Sequence, residues 1–158
     1  MKGIRNHAPE GVVSRSPACG FEQGAPKGGR YPGAVKNLAV SAESSPEEFL
    51  ADQKGVAAAK FYLIVAAEAA IDLCNHLAAR VASRAPASYV ECFGILRKNG
   101  IISEPLAERL VLMAKFRNFL IHRYGDVDDR VIHGIICQMP DDLTAYLSEL
   151  AAYLEERI

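Results

Sequence analysis

With 158 residues, half of them hydrophobic and 23% charged, the chain has the composition of one globular domain rather than of a disordered or membrane-spanning protein. A net charge of −1 supplies no general attraction for nucleic acid, so any such binding has to come from a local patch. No apolar run reaches the roughly 18 residues that a spanning helix requires; Phe61 to Ala70, for example, is broken by Glu68. Met1 to His7 carries charge without an apolar segment, which is not the pattern of a secretion signal, so the expected location is the cytoplasm. The four cysteines, Cys19, Cys74, Cys92 and Cys137, lie far apart with no metal-ligand spacing. Cys74 and Cys92 sit in apolar helical contexts and read as reduced core thiols.

Composition changes along the chain. Residues 1–45 hold six Lys or Arg against three Asp or Glu, with seven of the twelve glycines and four of the eight prolines. Such a segment buries too little apolar surface to offset its ordering entropy. Residues 1–44 therefore read as a flexible Gly/Pro-rich tail and residues 45–158 as the folded domain.

Ser45-Pro46-Glu47-Glu48 opens the domain as a helix start: serine caps, proline takes the first helical position, and Glu48 completes a capping box. A short helix through Asp52 leads into a long one from about Val56 to Ser83. There Tyr62, Ala66, Ala69, Leu73, Leu77 and Val81 recur at helical spacing. The other side of that helix is also rich in Ala, Ile and Val, which places it centrally in a bundle. A polar stripe interrupts it, Glu68, Asp72, His76 and Arg80, each four residues beyond the last. Ser88 with Glu91 forms a second capping box, and the helix it opens stops at Asn99-Gly100. Ser103 caps a third long helix with Pro105 in its first turn, ending near Gly125-Asp126. A short helix from Asp128 or Asp129 carries His133, which reads as a surface residue. Pro140-Asp141-Asp142 then restarts the chain as a last helix, with Leu143, Leu147, Leu150 and Leu154 as its apolar stripe. No segment alternates with period two, so the expected fold is all-α, an antiparallel bundle of four to five helices.

Chemistry concentrates in Lys115-Phe116-Arg117-Asn118-Phe119-Leu120-Ile121-His122-Arg123-Tyr124. An arginine, an amide, a histidine and a tyrosine stand there at the end of an oily helical run. On a regular helix Arg117 and Tyr124 point nearly the same way, whereas His122 points about 140° from Arg117. The two converge if the helix loosens near Gly125, if the arginine swings across, or if a second copy contributes. Arginine is a permanent forked cation suited to phosphate oxygens, and histidine moves protons near neutral pH. Together they suffice for metal-free phosphodiester cleavage, histidine as general acid–base and arginine stabilising charge on the pentavalent phosphorus. The structural alternative has Arg117 capping carbonyls, His122 ending a helix and Tyr124 at a wet edge of the core.

Arg117-Asn118, three apolar residues, His122, one residue and Tyr124 resemble the Arg-x4-His-x-Tyr signature of the HepT-like toxins, small helical ribonucleases of the HEPN superfamily. The stretch Ala67 to His76 is similar to the family's second helix. Pro86-Ala87-Ser88-Tyr89 with Phe93-Gly94-Ile95-Leu96 resembles its next segment, and Glu108 to Asn118 its approach to the signature. The resemblance covers about residues 45 to 155. It implies a toxin of a toxin–antitoxin pair: a homodimeric endoribonuclease that uses no metal or other cofactor and acts on RNA between two signature helices. Arg117 and His122 would be catalytic and Asn118 supporting, with Glu68, Asp72 and His76 as further residues of the cleft or else a solvated edge. Tyr124 would receive AMP from a nucleotidyltransferase antitoxin, placing bulk and negative charge beside Arg117. Two departures stand out. Arg123 occupies a place where the family often has an acidic residue, and the Gly/Pro-rich tail fills the place of the family's first helix. The alternatives to a toxin are a catalytically inactive helical module that docks a nucleotidyltransferase, and a member that has lost its first helix.

Overall fold

Residues 30–157 of the chain, as described by a computed structural model, are helical throughout apart from short connections. The helices are α1 (Arg30–Ser41), α2 (Pro46–Ala51), α3 (Gln53–Ala82), α4 (Tyr89–Lys98), α5 (Glu104–His122) and α6 (Asp129–Glu155). The expected all-helical bundle is found, with six helices among the described residues instead of four or five. α3 is its axis. At 30 residues it runs about 45 Å, and it packs against each of the other five. Alanine makes this possible: Ala59, Ala66, Ala67, Ala70 and Ala78 are buried on several sides of α3, so neighbouring helices approach its backbone closely.

The region expected to be tail needs correction. α1 lies within residues 1–44, yet Leu38 is fully buried and Ala34 nearly so, and the helix packs on α3 and α6. A helix is therefore present ahead of Ser45, in the place the sequence left to the tail. Averaging over 45 residues hid it, because two apolar side chains four apart suffice to dock one helical face. Residues 1–29, with His7 and Cys19, lie outside the described residues.

Local signals set most helix ends. Ser45 accepts from the Glu48 N–H while Glu48 accepts from the Ser45 N–H, closing the expected box. At α4, Ser88 caps Glu91 N–H, but the Glu91 carboxylate turns to the Ala87 N–H and Arg84 rather than back to Ser88. α4 ends in a Schellman motif: Gly100, at φ 67°, donates to Arg97 O, and Ile101 donates to Leu96 O. Ser103 is the cap residue of α5 but makes no side-chain cap. Instead Glu149 of α6 accepts from the Ser103 N–H (2.7 Å) and hydroxyl (3.0 Å).

Three further readings change in the structure. The two helices expected after Asp128 are one, α6, which runs through a buried Pro140. Burial on both sides of that proline, at Met139, Ile136 and Leu143, holds the helix together despite the missing N–H. Cys74 and Cys92, read as separate thiols, are joined as a disulfide between α3 and α4. His133 is half-buried rather than on the surface, its Nε2 3.0 Å from Ser44 O and its ring 5.2 Å from that of Phe49.

At the centre, the fully buried Tyr146 donates its hydroxyl to Ala70 O (3.1 Å) and packs edge-on to Phe93. Burial pushes its phenol pKa well up.

Candidate active site on the last turns of α5

α5 is regular up to His122, then Arg123 caps it by donating to Phe119 O. Asp126 N–H bonds back to Arg123 O, and Val127 is buried, so the turn from 123 to 128 folds onto the bundle. Tyr124 therefore lies beyond the helix, and the helical projection that aligned it with Arg117 does not apply. Its place is set by α3: the hydroxyl donates to Ala57 O (3.4 Å) and the ring lies under Lys60 Nζ (4.8 Å from the centroid). The ring stays 42% exposed, within reach of a second macromolecule.

Arg117 is half-buried. Its guanidinium donates to the Asn118 amide oxygen (2.8 Å), and its Nε is buried without a hydrogen-bond partner among the described residues. No carbonyl accepts from Arg117 among the described residues, which removes the carbonyl-capping alternative. His122 is exposed in the last turn of α5. No hydrogen bond joins it to Arg117. With α5 unbroken between them, the two side chains leave the helix about 140° apart. The loosening near Gly125 comes too late to bring them together within one copy.

The supporting residues divide. Asn118 is in direct contact with Arg117. On α3, Glu68 and His76 are exposed and Asp72 is half-buried, and no hydrogen bond links Glu68 or His76 to the α5 residues. Among the described residues no three His, Cys, Asp or Glu side chains form a group able to hold a metal ion. Arg123 pairs with Asp126 at 3.5 Å, both well exposed, a contact of little energetic weight. A groove of about 360 Å³ between α4 and α5, lined by Val90, Phe93, Arg97, Val111 and Leu112 among others, includes none of residues 117–124.

Lys60 escaped the sequence reading. It is the buried charged residue among those described, 7% exposed, paired with Asp129 at 3.0 Å and donating to Tyr124 O at 3.3 Å. The available signal was a lysine inside the alanine-rich run Ala57-Ala58-Ala59, on a helix already placed at the centre of the bundle.

The model of the family described as Ribonuclease HepT-like matches residues 34–150, and the chain belongs to that family. It is 32% identical over 75 residues to the mRNA nuclease HepT of Shewanella oneidensis, covering 47% of this chain and 56% of the relative. It is 28% identical over 87 residues to the tRNA nuclease HepT of Aphanizomenon flos-aquae, covering 55% and 59%. The chain thus spans somewhat over half the length of these relatives. Among solved structures, the tri-AMPylated Shewanella oneidensis HEPN toxin in complex with MNT antitoxin superposes with a TM-score of 0.70 at 21% identity, over 78% of this chain and 92% of that one. YutE of Bacillus subtilis, a cytosolic protein of unknown function, superposes at 0.66 and 18% identity, over 82% and 90%. At such identities the likeness concerns the fold. No described helix is long and apolar enough to cross a membrane.

Proposed function

We propose that the chain is the toxin of a toxin–antitoxin pair, an endoribonuclease that cleaves RNA in the cytoplasm without a metal ion, at a site assembled from two copies. The observation that carries this reading is the pair Arg117 and His122: polar groups at a helix end that do no capping work and diverge within one copy. His122 takes the proton from a ribose 2′-hydroxyl or returns one to the leaving 5′-oxygen. Arg117, steadied by Asn118, stabilises the charge on phosphorus as the P–O5′ bond breaks. The products are a 2′,3′-cyclic phosphate and a 5′-hydroxyl. Glu68, Asp72 and His76 fall to the edge of the cleft.

Homodimer formation is supported by α5 itself. Leu112, Phe116 and Phe119 form a stripe four and three residues apart; Leu112 and Phe119 are 62% and 48% exposed. His122, three residues beyond Phe119, borders that stripe. A second copy packed there would lie against His122, while Arg117 leaves α5 on another side and reaches a shared site only by swinging its long side chain across. Silencing follows from Tyr124: a nucleotidyltransferase antitoxin joins its oxygen to the α-phosphorus of ATP, pyrophosphate leaves, and the added AMP puts bulk and negative charge just past the end of α5, where it repels RNA. The relatives named as mRNA and tRNA nucleases, and the AMPylated toxin of like fold, support this reading.

The deciding experiment mixes two inactive variants. Arg117→Ala and His122→Ala should each lose cleavage of bulk tRNA or of a synthetic single-stranded RNA, with EDTA leaving the native chain unaffected. Refolded together, they should recover about a quarter of native activity, since half the dimers are mixed and each mixed dimer holds one intact site. Full loss in the mixture would place both groups of a site in one copy. A native, dimeric chain that cleaves neither RNA would favour the docking-module alternative.

A further inference from the structure

Lys60 makes little sense as a source of stability. Withdrawing an ammonium from water costs several kcal/mol before its partners repay it, and a methionine of similar length would fill the same space. What methionine lacks is direction. Lys60 Nζ donates to the Tyr124 carbonyl (3.3 Å), pairs with Asp129 (3.0 Å) and lies over the Tyr124 ring (4.8 Å). One ammonium thus meets the chain just past the C-terminus of α5 and the first turn of α6, the two ends whose dipoles favour a cation and an anion respectively. Three residues before it on α3, Ala57 receives the Tyr124 hydroxyl, so backbone and ring of Tyr124 are both held on α3.

We propose that Lys60 is the positioning residue of the site: it latches the turn from Arg123 to Asp128 onto α3, and thereby fixes the last turn of α5 with His122 and the face that Tyr124 presents. Lys60 is buried and meets neither RNA nor nucleotide. It acts through Tyr124 and Asp129. The latch also makes a demand on modification. Esterifying the Tyr124 oxygen removes the hydrogen it donates to Ala57, so the ring must leave α3 to carry AMP, and Lys60 sets how readily it does so. This inference rests on the reading of Arg117, His122 and Tyr124 given above.

Lys60→Met, Lys60→Arg and Asp129→Asn in the full-length chain test it by amide hydrogen exchange and by cleavage of bulk tRNA. In Lys60→Met, exchange at the hydrogen-bonded Arg123 and Asp126 amides should rise about tenfold or more, as expected for losing a charged hydrogen bond that holds the turn, while the buried amides of α3 keep their protection. Cleavage should lose roughly tenfold in kcat with KM unchanged, because RNA binding does not involve Lys60. Lys60→Arg should recover most of both. Asp129→Asn, at a site 41% exposed, should give a smaller rise of the same kind and decides the matter if Lys60→Met does not fold. Unchanged exchange at the Arg123 and Asp126 amides in a folded Lys60→Met overturns the latch. Raised exchange with native kcat overturns the positioning role. If the native chain cleaves no RNA, the reading of the site fails by itself, and the exchange comparison still upholds or overturns the latch.

Discussion

Leu38→Ala asks whether the helix ahead of Ser45 belongs to the fold. α1 is only 12 residues long, too short to be helical alone in water. Its anchorage is Leu38, with no exposed surface, and Ala34, which has little side chain to bury. Truncating Leu38 removes about 2.4 kcal/mol of transfer free energy at ~0.8 per methylene. Because Leu38 is fully enclosed, a cavity cost adds to this, for a total of about 3–4 kcal/mol. For a domain of this size that lowers the thermal midpoint by roughly 10–15 °C. Circular dichroism melts of Leu38→Ala and of Val40→Ala, where the native side chain is 56% exposed, make the comparison. Val40→Ala should stay within about 0.5 kcal/mol of the native chain. Equal midpoints for the two variants would refute the docking of α1 and restore the tail boundary near residue 44.

Other outcomes can be checked with similar means. Tyr146→Phe should cost about 1 kcal/mol at neutral pH through the lost bond to Ala70 O. Because burial raises the folded-state pKa above the ordinary 10.0, Tyr146 contributes stability that is complete below pH 10 and is lost as pH climbs above it. Urea titrations should therefore show the native chain losing its margin over Tyr146→Phe in alkali. Glu149→Ala should destabilise by about 1–2 kcal/mol, since it strips the cap from both the amide and the hydroxyl of Ser103. His122→Ala should leave the thermal midpoint within about 1 °C, as expected for an exposed side chain with no bond in the fold, so its loss of cleavage would not be a folding defect.

Much of this protein was legible in the chain because helices are local objects. The box at Ser45, the Asn99-Gly100 stop and the long central helix depend on residues within four or five positions of one another, and all three are where the sequence put them. The signature residues at the end of α5 were likewise visible as a cluster of polar groups on an apolar run. Errors arose where the deciding partner is distant. Ser103 looks like a side-chain cap, but Glu149 does the capping from 46 residues away. Pro140 looks like a break, but burial in the core carries α6 through it. α1 looks like tail because its apolar content is low, yet α3 and α6 offer a surface that needs only Leu38 and Ala34. The site shows the same division. Its residue types were determined by the sequence, whereas the tertiary structure decided that Tyr124 leaves the helix, that α5 stays unbroken between Arg117 and His122, and that Lys60 is buried against Tyr124. Sequence patterns encode which face of a helix is apolar; they do not encode which distant backbone a buried ammonium will reach, because that is settled only when α3, α5 and α6 pack.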